Sequence, residues 1–289
     1  MRWKRARRSD NVVDARGGGM RTGGKLGLGG LAAIVIVGLL MGKDPLQILS
    51  QIGGELLQQQ VPAPSDSGQP AATAGDEHSE FVRAVLGDTE DTWQALFADA
   101  GEQYQEPKLV LFSGSVRSAC GFASAAVGPF YCPGDRQVYL DLQFFDELAQ
   151  RFAAAGDFAQ AYVIAHEVGH HVQTLLGVSA KVNAARQRGA TMQGASGLLV
   201  RQELQADCLA GVWAHHAQRR LDWLEPGDLE EALNAAHAIG DDRLQRQGQG
   251  QVVPDSFTHG TSQQRARWFR IGFDEGDPGS CDTFKSTRL

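Results

Sequence analysis

The chain has 289 residues, of which 42% are hydrophobic, and a formal net charge of −7 at pH 7. A chain of this length and composition can bury a complete hydrophobic core. Residues 1–25 hold eight basic and only two acidic side chains, so the rest of the chain is strongly acidic. This acidity argues against a nucleic acid as the partner of the main domain.

The first predicted element is a transmembrane anchor at residues 26–42. Leu26 to Met41 is uncharged and apolar, and with its flanking glycines it approaches the roughly 20 residues that span a bilayer. The basic arm before it, residues 1–25, predicts a cytoplasmic N-terminus. The chain is therefore expected to cross the inner membrane once, with its acidic domain on the periplasmic side. A core helix, a cleaved signal peptide and a nucleic-acid-binding arm are the alternatives, although Leu40 to Lys43 is a poor cleavage site.

Residues 43–79 are predicted to connect the anchor to a folded domain at residues 80–289. The leucines and isoleucine at 46, 49, 52 and 56 have helical spacing, which predicts a short amphipathic helix on the membrane or against a protein partner. A plain spacer is the alternative. Residues 61–79 are rich in Pro, Ala, Ser, Gly and Asp, as is typical of a flexible linker.

The first part of the domain is predicted to mix helices with short strands. Helices are expected at 81–86, 89–97 (capped by Asp88) and 144–154, strands at 110–112 and 138–142, and a turn within 130–135. Gly121 to Gly128 has small side chains that would let a peptide backbone approach. We hypothesise that this stretch is a sheet edge that pairs with an extended substrate, and an irregular loop is the alternative.

His166, Glu167 and His170 form the pattern His-Glu-x-x-His in a stretch without other charges. Asp157 as N-cap and Gly177 as terminator predict a helix around this pattern. Residues four apart lie on one face of a helix, so both imidazoles can reach a single metal ion. Glu167 lies one step round, where a carboxylate can take a proton from a metal-bound water.

A second predicted helix, residues 198–219, carries Glu203 and Asp207 four apart. A catalytic zinc takes three protein ligands and leaves one position open, so Glu203 would complete the ligand set. Asp207 would then accept the free N–H of a ligand histidine and fix its tautomer. The alternative is that both histidines are satisfied core residues and that Glu203 is solvated.

The remaining predicted elements are helical or irregular. Helices are expected at 179–188, at 228–244 and from Thr261 or Ser262 to Phe273, with loops at 189–197 and 245–251. The four cysteines are Cys120, Cys132, Cys208 and Cys281. An even number on the non-cytoplasmic side fits two disulfides, and three pairings are possible. Free thiols are one alternative, and a thiolate metal site is another, although the chain lacks a Cys-x-x-Cys pair.

These residues resemble the gluzincin-type zinc metallopeptidases and, more closely, the bacterial putative neutral zinc metallopeptidase family. The resemblance covers most of the chain outside the linker. The matching stretches are Arg8 to Val12, the Gly-rich apolar segment, Ser118 to Gly121, Gly128 to Pro133, His166 to His171, Glu203 to Cys208 and His259 to Arg265.

The resemblance implies a zincin-like α+β domain, mostly helical with a small sheet, that hydrolyses peptide bonds in a peptide or protein substrate. It implies one catalytic Zn²⁺ held by His166, His170 and Glu203, with Glu167 as general base. His259, in a loop before a capped helix, is the leading residue to stabilise the oxyanion, with two tyrosines, at 131 and 162, behind it. An ordinary loop histidine is the alternative. Two rival functions are a catalytically silent, zinc-stabilised scaffold and a membrane-tethered interaction module.

Overall fold

The structure is a computed structural model, and it describes residues 1–16, 76–125, 128–150 and 154–289. These residues form an α+β structure that is mostly helical with a small sheet, as the sequence predicts. The helices are α1 (Glu77–Asp99), α2 (Gln143–Gln150), α3 (Asp157–Leu175), α4 (Val178–Gln187), α5 (Leu198–Leu221), α6 (Asp228–Ala238), α7 (Asp241–Gln249) and α8 (Ser262–Glu275). The strands are β1 (Val12–Asp14), β2 (Lys108–Phe112), β3 (Ser115–Ser118), β4 (Gly121–Ser124), β5 (Phe130–Cys132) and β6 (Gln137–Asp141). Short 3-10 turns occur at Trp3–Arg5, Pro254–Ser256 and Pro278–Cys281.

Four of the strands form a mixed sheet in the order β1-β2-β6-β5. β1 and β6 both run parallel to β2, whereas β5 runs antiparallel to β6 and lies at the edge. β3 and β4 form a separate antiparallel hairpin. The stretch Gly121 to Ser124 is therefore paired within this hairpin, and the edge strands of the main sheet are β1 and β5.

The sheet separates two hydrophobic clusters. Leu109, Leu111, Val138 and Leu140 point to the helical side and belong to the main core. On the other face, Val110, Phe112 and Tyr139 pack with Val116 of the hairpin and with Phe130. This alternation follows from the two-residue period of a strand, and it fixes the register of β2 against β6.

Residues 1–15, here called the N-terminal strap, belong to the same compact unit as residues 74–289. Trp3 is buried and packs edge-to-face on Phe81, with ring centroids 5.5 Å apart. The buried carboxylate of Glu90 accepts hydrogen bonds from Arg7, Ser9 and Asn11. The basic side chains of the strap thus neutralise acidic groups of the same unit, and β1 completes the sheet.

The predicted localisation, with a cytoplasmic N-terminus and a periplasmic catalytic domain, is therefore wrong. A single crossing at residues 26–42 would place the strap and residues 74–289 on opposite sides of a membrane, but they share one core. The predicted anchor and residues 43–75 of the predicted linker lie outside the described residues. Within the described ranges, no helix has the length and apolar character needed to cross a bilayer.

The metal-motif helix α3 is central to the helical layer. It packs against α1, α5 and α6, and it contacts β5 and β6 of the sheet. Gly169 allows α3 to approach α5 closely, because a Cβ at this position would lie only 2.9 Å from the carbonyl oxygen of Ala206. The small residue lies one position before His170, so the close approach occurs where the two helices carry their polar residues.

Two disulfides resolve the pairing that the sequence leaves open. Cys120 is bonded to Cys132 and joins the hairpin to β5. Cys208 is bonded to Cys281 and joins α5 to the C-terminal segment. Cys208 and Cys281 are both buried, whereas the other disulfide joins the buried Cys132 to the exposed Cys120.

Three predicted boundaries are wrong. The predicted loop 245–251 is helical up to Gln249, the end of α7. At the other two boundaries, long-range contacts outweigh local signals. α1 continues through Gly87 and Asp88, where the sequence predicts a break. Asp88 does not cap a helix but accepts a hydrogen bond from Trp213 and pairs with Arg220. Conversely, the predicted helix 228–244 is split into α6 and α7, because Asp241 turns its carboxylate to the loop before α8.

We expect Trp3→Ala to lower the free energy of unfolding by about 3–5 kcal/mol, because it removes a buried indole from the core. The measurement is urea denaturation of the full chain. Arg5→Ala is the matched control, since Arg5 is exposed on the same strap and should change the midpoint little. Equal midpoints for Trp3→Ala and the wild type would contradict the packing of the strap into the core.

Candidate metal centre

Three potential ligand side chains from two helices converge at one point. His166 and His170 lie on α3 and Glu203 on α5, and their ligand atoms are all within 4.8 Å of one another. The His166 Nε2 atom is 3.2 Å from Glu203 Oε2, and His170 Nε2 is 3.5 Å from Glu203 Oε1. Both imidazoles thus direct the same ring nitrogen at one carboxylate.

The other ring nitrogen of each histidine is held by a hydrogen bond. His166 Nδ1 donates to Asp207 Oδ1 at 2.8 Å, and His170 Nδ1 donates to Gln173 Oε1 at 2.9 Å. Gln173 is oriented in turn by its amide donation to the Gln202 carbonyl oxygen. These bonds leave Nε2 of both rings free for a cation, as in metal sites whose ligand histidines are oriented by outer hydrogen bonds.

Asp207 is completely buried and has several partners. It accepts hydrogen bonds from His166, from the Tyr162 hydroxyl at 2.6 Å and from two nitrogens of Arg265, each at 2.9 Å. The Arg265 guanidinium is itself 2% exposed and also donates to the Ile239 carbonyl oxygen. A buried carboxylate is costly unless it is paired in this way, so Arg265 keeps Asp207 charged behind His166.

The charges in this cluster shift the pKa values of its members. Burial lowers the pKa of His166, but the charge of Asp207 and hydrogen bonds to Asp207 and Glu203 outweigh burial and raise the pKa to about 10. Burial raises the pKa of Glu203, yet the two histidines hold it well below its usual range. Without a metal, protons on the imidazoles balance the carboxylates, so metal binding would release protons and tighten as pH rises.

The donor set fits zinc. Two imidazole nitrogens and one carboxylate oxygen form a three-ligand set found in catalytic zinc sites, which leave a fourth position open. All three side chains are at least four-fifths buried, which limits competition from water. The outer hydrogen bonds from Asp207 and Gln173 complete the arrangement.

Glu167 lies on α3 between the two histidines and is 8% exposed. Its carboxylate lines the same cleft as His166, His170 and Glu203. Among the described residues, none donates a hydrogen bond to the Glu167 carboxylate. Glu167 differs in this from Asp207, whose carboxylate accepts several hydrogen bonds. Its oxygens are therefore available to a molecule in the cleft.

His259 lines the cleft from the loop before α8, with its side chain half exposed. Its Nδ1 lies 2.9 Å from the Thr258 hydroxyl and 3.3 Å from Asp241 Oδ1. The other oxygen of Asp241 accepts backbone N–H groups of residues 258–260, which shapes this loop. The hydrogen bond to Asp241 raises the pKa of His259 despite partial burial.

Tyr131 and Tyr162, the other two candidates for stabilising the oxyanion, already use their hydroxyl protons in hydrogen bonds within the protein. The Tyr162 hydroxyl donates to Asp207. The Tyr131 hydroxyl is 3.1 Å from Nδ1 of His171, whose Nε2 donates to the Gln105 carbonyl oxygen. Nδ1 of His171 must therefore accept from Tyr131, since burial lowers the pKa of His171 to about 4 and keeps the ring neutral. Of these three candidates, His259 is the one that retains a side-chain donor for the cleft.

The cleft itself has a volume of about 980 Å³ and is open to solvent above the metal centre. Its walls come from different parts of the chain. They comprise residues 128–131 and Pro133 around β5, Phe144 and Glu147 of α2, the cleft face of α4, and Ile239, Leu244 and His259 on the far side. The candidate metal ligands His166, His170 and Glu203 lie in this cleft together with Glu167.

A second group of carboxylates lies at the start of α3, away from these ligands. Asp157, Asp228 and Glu231 are close enough to hold a cation. The α-ammonium of Met1 is 2.9 Å from Asp157 and 3.3 Å from Asp228, and Glu231 accepts the backbone N–H of Phe158. These carboxylates therefore hold the N-terminal strap in place and need no cation to explain why they lie together.

Sequence reasoning missed the roles of Gln173, Asp241 and Arg265. Arg265 does carry a signal, because it lies on the apolar face of α8 that buries Trp268, Phe269 and Gly272. A charged residue on a buried face requires a partner. Asp241 carries no comparable signal, since its partners are 17 to 19 residues further along the chain.

Comparison with known proteins identifies relatives over nearly the whole chain. The model of the family described as putative neutral zinc metallopeptidase matches residues 1–284. The uncharacterized protein YpfJ of Escherichia coli strain K12 is 51% identical over 98% of this chain and 99% of its own. The uncharacterized protein Rv2575 of Mycobacterium tuberculosis strain H37Rv is 43% identical over 87% of this chain and 86% of its own. No solved structure shows significant similarity to the chain.

We expect Arg265→Met to lower the free energy of unfolding by about 3–5 kcal/mol, because it removes the guanidinium that pairs with the buried Asp207 carboxylate through two hydrogen bonds. Arg270→Met on the same helix should cost less than about 1 kcal/mol, since Arg270 forms a solvent-exposed pair with Asp274. Urea denaturation in the presence of a chelator measures both. Similar losses for the two variants would show that Asp207 does not depend on Arg265.

Proposed function

Because the chain belongs to the putative neutral zinc metallopeptidase family, we propose that it hydrolyses peptide bonds in the cleft above His166, His170 and Glu203. The observation that carries this proposal is the convergence of these three side chains beside the unengaged carboxylate of Glu167. A site that only stabilised the fold would have no use for such a carboxylate. The chemistry is general acid–base catalysis at a metal.

One zinc ion would be held by Nε2 of His166, Nε2 of His170 and the carboxylate of Glu203. When bound, zinc polarises a scissile carbonyl and lowers the pKa of a water molecule toward neutrality. Asp207 and Gln173 serve this site by fixing the two imidazoles in the tautomer that leaves Nε2 free. Arg265 acts through Asp207 as a positioning residue.

Glu167 is the general base in this proposal. Its carboxylate accepts a proton from the attacking water and passes it to the leaving amine. Its location on α3, one residue after His166, keeps it in the same cleft as the ligands.

His259 is the proposed donor to the negative charge that develops on the carbonyl oxygen. When its Nδ1 proton is directed to Asp241, Nε2 can donate only if the ring is protonated. The contact with Asp241 favours this protonated form, and this supports a role for the His259–Asp241 pair. Tyr131 and Tyr162 lack a free proton for the same task.

The exposed edge of β5 is the proposed binding site for the substrate backbone. β5 pairs only with β6 within the described sheet, so its outer edge has unpaired backbone groups. Phe130 and Tyr131 of this strand line the cleft with His166 and Glu167. An extended peptide can add to such an edge through main-chain hydrogen bonds. β5 therefore replaces Gly121 to Gly128 as the predicted substrate edge.

We expect Glu167→Gln to reduce peptide cleavage by about 10²–10⁴-fold while zinc remains bound, because the amide cannot accept the proton. The assay compares the zinc-loaded full chains on a diverse peptide library, and metal analysis checks the zinc content. Glu275→Gln, on the exposed end of α8, is the control with the same chemical change. If the folded, zinc-loaded wild type cleaves no peptide, the zinc-stabilised scaffold becomes the better account.

We expect His259→Ala to lower kcat by about 10²–10³-fold with a smaller effect on KM, as for the loss of one oxyanion donor. Asp241→Asn should shift the basic limb of the kcat profile to lower pH. The carboxylate raises the pKa of His259, so its removal lets the ring lose its proton earlier. A pH profile unchanged by Asp241→Asn would contradict the paired role.

A further inference from the structure

One wall of the cleft is formed by α4, which follows the metal-motif helix. The side chains that it presents to the cleft are Ser179, Ala180, Val182, Asn183 and Arg186. Positions 179, 182, 183 and 186 are spaced three, four and seven apart, so they lie on one helix face. Arg186 is the single charged residue on this face.

No acidic residue lies close to Arg186 in the sequence. Residues 168–202 include no Asp or Glu, although the whole chain has 34 acidic and 27 basic residues. Arg186 is exposed, and within the part of the chain that the structure describes it forms no ion pair. Arg186 therefore lines the cleft without a counter-ion among the described residues.

Two other basic groups of the cleft and one of its carboxylates are already paired near the candidate metal ligands. Arg265 is bound by Asp207, and His259 is held by Asp241. Glu203 lies against the two histidines, so it is not available to Arg186. A molecule bound along α4 thus meets Arg186 as the one charged side chain of this wall, whereas the acidic Glu147 and Glu167 belong to α2 and α3.

We propose that Arg186 makes the cleft selective for peptides that place a carboxylate beside α4. This inference rests on the proposed peptidase function, because it assigns a subsite of the same cleft. A guanidinium forms two parallel hydrogen bonds to a carboxylate, which suits it to this recognition. The carboxylate is that of an Asp or Glu side chain, or the free C-terminus of the peptide.

Peptide binding to the zinc-loaded Glu167→Gln full chain tests the subsite without turnover. Fluorescent peptides with a C-terminal amide are compared in pairs that differ by Asp or Asn at one position, scanned along the peptide. A second pair differs only in a free or amidated C-terminus. We expect one position, or the free terminus, to tighten binding about threefold at low salt, and the gain to shrink at high salt.

A charge reversal identifies the residue responsible. Arg186→Glu should abolish the gain and favour a Lys peptide at the same position by about threefold. Arg188→Glu makes the same change of net charge just after α4, but Arg188 does not line the cleft, so the acidic preference should remain. Equal behaviour of the two variants, no preference for any carboxylate or no peptide binding would overturn the inference.

This readout separates the inference from the proposed function. Absence of peptide cleavage by the wild type, with intact carboxylate-dependent binding, contradicts the peptidase and leaves the subsite in place. Cleavage without any effect of Arg186→Glu on binding preference contradicts the subsite and leaves the peptidase in place.

Discussion

The buried carboxylate of Asp207 is the interaction on which the rest of the site depends. It joins α5 to α3 through His166 and Tyr162, and to α8 through Arg265. A buried carboxylate is tolerated only when its partners are all in place, so the three helices must meet in one arrangement. That arrangement also sets the tautomer of His166 and carries Glu203, one turn before Asp207, to the two histidines. The stability of the helical layer and the geometry of the candidate metal centre therefore share one cause.

The N-terminal strap extends this dependence to the start of the chain. Trp3 fills the core, β1 completes the sheet, and the Met1 α-ammonium meets Asp157 at the first residue of the metal-motif helix. The strongly basic composition of the strap is thus explained by acidic partners within the same unit. Charge composition alone predicts a cytoplasmic arm, because it cannot distinguish a membrane-orienting sequence from one that pairs with distant carboxylates of its own chain.

The helical character and the grouping of the metal-site side chains could be predicted because helix geometry links residues four apart. His166 with His170, and Glu203 with Asp207, share faces for that reason. The contacts that could not be predicted join residues far apart in sequence. Asp88 looks like a cap until Trp213 and Arg220 are placed beside it, and Asp241 looks like a surface residue until its loop partners are known. No local periodicity encodes such pairs, so β1, the continuity of α1 and the break before α7 emerge only from the fold.

The most direct test of the account is to locate zinc by anomalous X-ray scattering in crystals of the zinc-loaded full chain. The account predicts one strong peak bonded to Nε2 of His166, Nε2 of His170 and the carboxylate of Glu203, at about 2.0–2.2 Å. A peak at Asp157, Asp228 and Glu231, or a zinc ion that leaves Glu203 unbound, would contradict it.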